Sequence, residues 1–187
     1  KYLDLRRNKL RKMPHSFGNL HKLEYLDLGS NDLGKVPDWI EYNKDLTYLN
    51  VGVNLLTELP LFIRDLKKMR RLLVHKNRIP VFHEEYGELK DLEELNLYFL
   101  AIQDVPDIVF SFKKLKTLSW GVTKMTKLSD AIGELRGLNY LTMVANQIEE
   151  LPDSFCRLEN LIATRLHKNK LKRLPERIGD LKSLEQI

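Results

Sequence analysis

The sequence predicts an α/β fold, a right-handed solenoid whose parallel strands form a concave β-sheet and whose short helical or 3-10 segments return along the convex side. Three observations lead to this prediction. Leucine-type residues recur every 23 residues with no phase drift along the chain. Within each interval, two apolar positions alternate around an outward one, as in a strand. Three other apolar positions are spaced by four and three residues, as on one face of a helix.

The repeating unit has 23 residues, and eight units begin near residues 0, 23, 46, 69, 92, 115, 138 and 161, with a truncated ninth at 184. We treat residues 1–187 as a single domain, because one unit cannot bury its own leucines and must stack on its neighbours. Since neither end shows a polar capping unit, we expect the chain to be a fragment of a longer array. The first position of units two to nine is occupied by Leu23, Leu46, Met69, Leu92, Leu115, Leu138, Leu161 and Leu184.

Positions 4 and 6 of the unit are apolar and flank an outward position 5, which predicts one strand per unit, centred on position 5. Because stacked units follow the same path, their strands should run parallel along the concave side. Position 4 is occupied by Leu3, Leu26, Leu49, Leu72, Leu95, Leu118, Leu141 and Thr164.

Asparagine recurs at position 9 of the unit. A side-chain amide carries both donors and an acceptor, so a buried row of amides can connect the turns of adjacent coils. In units five and six this position holds Leu100 and Thr123, and we expect the row to break there. The row consists of Asn8, Asn31, Asn54, Asn77, Asn146 and Asn169.

Positions 14, 18 and 21 share one helical face, which predicts a short helical return in each unit. Proline is common at position 15, where its fixed φ suits entry into a helical turn and its missing N–H would be unpaired anyway. Units four and six carry His83 and Ser129 there instead. The prolines are Pro14, Pro37, Pro60, Pro106, Pro152 and Pro175.

The whole unit reads L-x-x-L-x-L-x-x-N-x-L-x-x-L-P-x-x-I-x-x-L-x-x, and it resembles the leucine-rich repeat over essentially the whole chain. With Leu-Pro at positions 14 and 15, it is similar to the intracellular class typified by the Ras-associated scaffolds, Scribble and Erbin. The resemblance implies a cytoplasmic protein-binding scaffold or adaptor in signal transduction. The resemblance also implies a location at the inner face of the plasma membrane, to which the protein would be recruited only by its partners. Small GTPases and phosphatase subunits are among those partners.

An array of this kind can also serve as the recognition arm of a larger protein. The larger protein would be a kinase, a ubiquitin ligase or a nucleotide-binding immune receptor. The sequence of this chain leaves both functions open, because any flanking domain lies outside it.

If positions 3, 5, 7 and 8 point away from the core, they form a concave surface on which we expect a protein partner to bind. Three groups of residues stand out on this surface, namely a tyrosine ladder beside an acid, an apolar and aromatic centre, and a basic end. His75 lies in the repeat between the first two groups. The groups are Tyr2, Tyr25, Tyr48 and Asp27; Tyr98, Phe99, Val122 and Val144; and Arg165, His167 and Lys168.

Each group has a structural alternative to partner binding. Stacked tyrosines also stabilise a sheet by themselves, and basic side chains at one end of a protein are often simply solvated. The centre is the favoured contact surface, because exposed Phe99 and Val122 would lower solubility without a structural gain. The irregular repeats around Leu100, Thr123 and Ser129 either shape this site or reflect ordinary drift of the repeat.

Composition and motifs argue against several other functions. The single cysteine, Cys156, excludes an intramolecular disulfide framework, and no phosphate-binding glycine motif occurs. His75 and His167 stand four strands apart, about 19 Å at the spacing of a sheet, so they cannot share a metal ion. We therefore expect no enzyme, no cofactor and no small-molecule substrate. The net charge of +5 is concentrated at the two ends around an acidic middle, which argues against a nucleic-acid partner.

Overall fold

Each unit folds into one short strand and one 3-10 helix. The structure, a computed structural model, describes residues 1–186. Within those residues the strands are β1 (Tyr2–Asp4), β2 (Tyr25–Asp27), β3 (Tyr48–Asn50), β4 (Arg71–Leu73), β5 (Glu94–Asn96), β6 (Thr117–Ser119), β7 (Tyr140–Thr142) and β8 (Ala163–Arg165). The 3-10 helices alternate with the strands and are η1 (His15–Asn19), η2 (Asp38–Tyr42), η3 (Leu61–Asp65), η4 (Glu84–Glu88), η5 (Asp107–Ser111), η6 (Asp130–Glu134), η7 (Asp153–Arg157) and η8 (Glu176–Asp180).

The strands of the described chain form one parallel sheet in the order β1 to β8, as predicted. The register is constant, because each strand residue pairs with the residue 23 positions later, as Leu3 with Leu26 and Leu26 with Leu49. Each strand covers positions 3 to 5 of its repeat. The predicted strand centre is therefore wrong by one residue and lies at position 4. Beyond position 5 the repeats stay connected by backbone hydrogen bonds, as from the N–H of Leu28 to the carbonyl oxygen of Asn50, but the chain turns and is left-handed at position 8.

The core lies between the sheet and the 3-10 helices and continues through the stacked repeats. Side chains at positions 4 and 6, such as Leu49 and Val51, are fully buried in it. Two oversized side chains, Trp120 and Tyr86, are also fully buried, and the Tyr86 hydroxyl donates a hydrogen bond to the carbonyl oxygen of Leu59. A continuous core holds neighbouring strands at a fixed spacing, and this spacing sets the surface on which the candidate site lies.

The returns on the convex side are 3-10 helices, each entered from an extended residue at position 15. Pro37 has φ −61° and ψ 128°, and its carbonyl oxygen accepts a hydrogen bond from the N–H of Ile40 at 3.1 Å. Ser129 takes the place of proline in repeat six, where its hydroxyl accepts from the N–H of Ala131 at 3.2 Å.

Within the part of the chain that the structure describes, no helix is long and apolar enough to cross a membrane.

The asparagine row connects neighbouring repeats through both ends of the side-chain amide. Asn54 donates through Nδ2 to the carbonyl oxygens of Leu28, in the preceding repeat, and Val51, each at 3.0 Å. Its Oδ1 accepts from the N–H of Leu33 at 3.0 Å. These three bonds satisfy buried backbone groups in two repeats at once. The same pattern is made by Asn31 and Asn77.

The row is interrupted where asparagine is replaced. Leu100 is buried and has no polar side-chain atom. At the next repeat Thr123 maintains part of the connection, since its N–H and its hydroxyl both donate to Oδ1 of Asn146. Asn169 again donates to the preceding repeat, whereas Asn8 is exposed and donates only within its own repeat.

Candidate functional site

The backbone at position 8 adopts a left-handed conformation in every described repeat, with φ between 51° and 61°. The sequence analysis placed this position on the concave surface but did not predict its backbone conformation. An ordinary residue in this conformation costs about 1–2 kcal/mol relative to the right-handed form, and the cost is high for a β-branched side chain. The position is nevertheless occupied by Arg7, Ser30, Val53, Lys76, Phe99, Val122, Ala145 and Lys168.

Hydrogen bonds between repeats hold this strained backbone in place. The N–H of position 8 donates to the carbonyl oxygen of position 7 in the next repeat, as from Lys76 to Tyr98 at 2.8 Å and from Phe99 to Gly121 at 3.1 Å. Side chains at position 8 therefore project from a fixed framework along the end of the sheet.

The tyrosine ladder is a stack of parallel rings. The ring centroids of Tyr2 and Tyr25 are 4.2 Å apart, and those of Tyr25 and Tyr48 are 4.1 Å apart. Burial raises the pKa of the hydroxyls of Tyr25 and Tyr48, so the ladder stays uncharged near neutral pH. Tyr2 is largely exposed and presents one ring face of the stack to solvent.

Asp27 lies beneath the ladder rather than on the surface. Its side chain is 1% exposed, and its Oδ1 accepts from the N–H of Gly29 at 2.9 Å and from Nδ2 of Asn50 at 3.0 Å. Its Oδ2 lies 3.5 Å and 3.4 Å from the hydroxyls of Tyr25 and Tyr48. The expectation that Asp27 faces a partner is wrong, because its acceptor sites are occupied by groups of the sheet itself. Asp27 instead positions the tyrosine ladder.

The centre of the concave face, midway along the array, consists of Tyr98, Phe99 and Val122, with Val144 beneath it. Phe99 is 52% exposed, Tyr98 and Val122 are partly exposed, and Val144 is 7% exposed. The prediction that Val144 projects into solvent is therefore wrong. Repeats six and seven approach closely at Gly121, where a methyl group would contact the carbonyl oxygen of Val144 and would lie 3.0 Å from Cε2 of Tyr98. Tyr98 thus lies across the space that the glycine leaves open.

His75 packs against a second glycine of the same row. A methyl group at Gly52 would lie 2.5 Å from Nδ1 of the imidazole ring, so the ring covers this glycine. Burial and the neighbouring charge of Lys76 lower the pKa of His75, which is therefore neutral at pH 7. Within residues 1–186 its buried Nδ1 has no hydrogen-bond partner. His75 is thus a half-buried side chain of the sheet whose Nδ1 faces Gly52 and is shielded from solvent.

The basic end is exposed and lies apart from the aromatic centre. Arg165, His167 and Lys168 are all exposed in repeat eight. Three strand spacings, about 14 Å, separate this repeat from Phe99. The structure therefore brings the aromatic and apolar centre together but does not join it to the basic end.

Two exposed apolar side chains of the concave face were not singled out by the sequence analysis. Val53 is 38% exposed and Leu55 is 45% exposed, and they occupy positions 8 and 10 on either side of Asn54. The sequence carried a signal for them, because most repeats have a polar or charged residue at position 8 or 10. Only repeat three, with Val53 and Leu55, and repeat five, with Phe99 and Ala101, have apolar residues at both positions. Elsewhere, no three His, Cys, Asp or Glu side chains converge as metal ligands within the described residues.

Two family profiles match the chain. A leucine-rich repeat region matches residues 107–187, and a leucine rich repeat matches residues 1–33. Together they cover more than half of the sequence. No curated protein matches the chain.

Solved structures of the same shape extend over nearly all of the chain. A leucine-rich repeat protein of Leptospira interrogans aligns with 100% of it, at a TM-score of 0.94 and 34% identity. An internalin of Listeria monocytogenes aligns with 94% of it, at a TM-score of 0.81 and 22% identity. The plant peptide hormone receptor RGFR1, in complex with RGF2, aligns with 98% of it, at a TM-score of 0.80 and 23% identity. The chain spans 48%, 50% and 31% of these three proteins, respectively.

The constant 23-residue register, the parallel sheet with 3-10 returns and the asparagine row describe one architecture. The profile matches at both ends of the chain and the Leptospira structure along its whole length share that architecture. Proteins of this fold are typically non-catalytic modules that bind other proteins. The chain therefore belongs to the leucine-rich repeat family.

Proposed function

We propose that this array is a protein-binding module whose partner contacts the centre of the concave face, over Tyr98, Phe99 and Val122. Phe99 carries the proposal, because it is 52% exposed on a left-handed backbone. Exposure of a large apolar side chain and a positive φ are both unfavourable. A bound partner would bury the phenylalanine and offset both costs.

The surroundings of Phe99 support a central position in the interface. The ring of Tyr98 lies 6.5 Å from that of Phe99, and it packs over Gly121 of the next repeat. Rigid aromatic side chains in the centre of an interface are the type that carries most binding energy. The tyrosine ladder and the basic end lie at the margins of this interface. Charged residues at a margin, such as those of the basic end, mainly influence the association rate.

We propose that the protein acts as a scaffold or adaptor in intracellular signalling, in the cytoplasm or at the inner face of the plasma membrane. The support is the resemblance of the 23-residue unit to the Ras-associated, Scribble and Erbin class. A small GTPase or a phosphatase subunit is the partner that this resemblance favours.

A second candidate function is that of a recognition arm within a larger catalytic or receptor protein. It is favoured by the presence of this fold in a plant hormone receptor. The sequence of the full gene product separates the two candidates, because a kinase, ligase or nucleotide-binding domain next to the array would support the second.

The binding proposal is tested by affinity capture from cell lysate with the immobilised chain. The captured protein is then purified, and its affinity for the chain is measured by titration. We expect Tyr98→Ala/Phe99→Ala to weaken binding by about thirtyfold, since central anchors typically contribute about 2 kcal/mol or more. The matched control, Tyr42→Ala/Leu61→Ala, removes two exposed apolar side chains from the 3-10 helices of the convex side and should leave the affinity unchanged. Undiminished binding by the folded Tyr98→Ala/Phe99→Ala variant would place the site elsewhere.

A further inference from the structure

A strip of cations runs along one edge of the concave face. It is formed by the side chains at positions 8 and 10 of each repeat, which flank position 9, and we call it the rim. Six of its cations lie in three groups, in repeats one, four and eight. These groups are Arg7 with Lys9, Lys76 with Arg78, and Lys168 with Lys170. Across the described repeats the rim contains a single carboxylate, that of Asp32.

Charges on the rim are arranged differently from those on the flanks of the solenoid. On the flanks, opposite charges stack 23 residues apart, as Lys68 with Asp45 at 2.6 Å and Lys114 with Asp91 at 2.5 Å. Among residues 1–186, none of these six cations forms an ion pair, and neither does Lys124, the seventh cation of the rim. The repeats thus neutralise their flanks and leave a positive field along the rim.

Exposed apolar side chains alternate with these cations. Val53 and Leu55 lie in repeat three, and Phe99 lies in repeat five. They stand one repeat, or about 4.8 Å, on either side of Lys76 and Arg78. The order along the rim is therefore apolar, basic and apolar in consecutive repeats, with a second basic group three repeats further on.

The rim is also pre-organised. The N–H of Val53 donates to the carbonyl oxygen of His75 at 2.8 Å, and that of Lys76 donates to the carbonyl oxygen of Tyr98 at 2.8 Å. These bonds fix the left-handed residues at the strand spacing before any partner binds. A fixed array loses little entropy on binding, which favours recognition of a linear pattern.

We infer that the rim is a docking surface for an extended acidic segment of a protein partner. The segment places apolar side chains over Val53 with Leu55 and over Phe99, and carboxylates over Lys76 with Arg78 and at the basic end. Repeats three to eight span about 24 Å, which about seven extended residues cover. This inference rests on the proposed protein-binding function and specifies the chemistry of the partner.

The alternation favours an acidic polypeptide over nucleic acid. Val53 and Leu55 are aliphatic and offer no platform for base stacking, which single-strand binding proteins typically provide. A polypeptide can place a carboxylate between two apolar side chains. A nucleic acid would instead place a phosphate at every step, including opposite Val53 and Phe99.

A display library of random twelve-residue peptides, selected against the whole chain, tests the inference. We expect enrichment of peptides that combine Asp or Glu with large apolar residues. In fluorescence anisotropy at physiological salt, Lys76→Glu/Arg78→Glu should weaken binding of such a labelled peptide by about tenfold or more, because like charges then face each other. The control Lys44→Glu/Lys90→Glu reverses two exposed lysines of the flank and should bind the peptide as the wild type does.

Several results would overturn the inference. These are enrichment of neutral or basic peptides, equal binding by the Lys76→Glu/Arg78→Glu variant, or tighter rim-dependent binding of single-stranded DNA than of the acidic peptide. If charge reversal prevents folding, Lys76→Gln/Arg78→Gln replaces it, with an expected loss of about threefold. Equal binding by that folded variant would count against the inference in the same way.

Binding of the captured partner protein to both variants distinguishes failure of this inference from failure of the proposed function. Loss of its binding by Tyr98→Ala/Phe99→Ala, without loss by Lys76→Glu/Arg78→Glu, leaves the concave site standing and removes the acidic rim contact. Retention of binding by both variants removes both proposals.

Discussion

The hydroxyl of Thr123 donates to Oδ1 of Asn146 at 2.6 Å, and the N–H of Thr123 donates to the same oxygen at 3.1 Å. The hydroxyl also accepts from the N–H of Met125 at 3.2 Å. A repeat without asparagine thus stays connected to the next one, because a hydroxyl both donates and accepts. Leu100, one repeat earlier, cannot do so. The contribution of position 9 to the connection between repeats therefore differs along the chain, from asparagine through Thr123 to Leu100.

Asn54→Ala should destabilise the protein more than Thr123→Val. Asn54 donates to buried carbonyl groups of two repeats and accepts from the N–H of Leu33, and unpaired buried groups cost about 1–3 kcal/mol. Thr123 is only partly buried and serves fewer backbone groups. Urea denaturation of both variants measures the free energy of unfolding. Equal midpoints at an unchanged slope would contradict the graded role of the row.

Gly121→Ala should destabilise the protein, whereas Gly34→Ala should not. A methyl group at Gly121 would meet the backbone of Val144, including its nitrogen at 3.1 Å, whereas one at Gly34 would meet nothing within 4 Å. Overpacking typically costs about 1–3 kcal/mol, and Gly→Ala at a compatible site typically adds about 0.4–1 kcal/mol of stability. Thermal unfolding of both variants tests the contrast, and a loss of equal size in both would show that the close approach of repeats six and seven is unimportant.

Val53→Asn should stabilise the fold by about 0.5–1 kcal/mol while weakening partner binding. Val53 has φ 55°, and asparagine tolerates this conformation better than a β-branched residue does. Val81→Asn is the control, because Val81 is an exposed valine that is not in the left-handed region. Chemical denaturation should show a gain at Val53 and none at Val81. A loss of stability in Val53→Asn would mean that the valine contributes more to packing than the backbone loses.

Stability should fall as the pH drops below the ordinary pKa of histidine, and His75 should contribute to that fall. Burial lowers the pKa of His75 from the ordinary 6.5, so the unfolded chain binds more protons than the folded chain in the window below that value. The contribution is complete above pH 6.5 and is lost as the pH falls toward the folded pKa.

Melting temperatures at about pH 7.5 and about pH 5.5 measure this effect. The difference between the two temperatures should be smaller in His75→Gln than in the wild type. His21→Gln, which changes an exposed histidine, is the control and should retain the wild-type difference. An identical pH dependence in all three proteins would assign the effect to other groups.

The path of the chain could be predicted from the sequence because it depends on spacing alone. A leucine-type residue at every first position, such as Leu46 and Leu92, requires the backbone of each repeat to follow the same path. The parallel sheet with its constant register follows from this. The asparagine row was predictable for the same reason, since a buried amide that recurs every 23 residues has the turns of adjacent coils as partners.

The exposure of individual side chains on the concave face depended on the tertiary structure. Asp27 shares its position in the repeat with Asn50, yet only Asp27 is fully buried, because the hydroxyls of Tyr25 and Tyr48 lie over it. Likewise, Val144 is buried because Gly121 lets two repeats approach. Such differences arise from contacts between repeats, which a pattern within one repeat does not contain.

The sequence by itself therefore determined the fold, the register and the set of side chains that can reach the concave face. Only the tertiary structure decided which of them remain exposed there, with Phe99 midway along the array and Val53 and Leu55 two repeats before it on the same rim. The physical reason is that periodic burial of leucines acts equally on every repeat. The depth of a surface side chain is set instead by its neighbours about 4.8 Å away in the adjacent repeats, and by the backbone conformation at position 8 that the ladder of hydrogen bonds enforces.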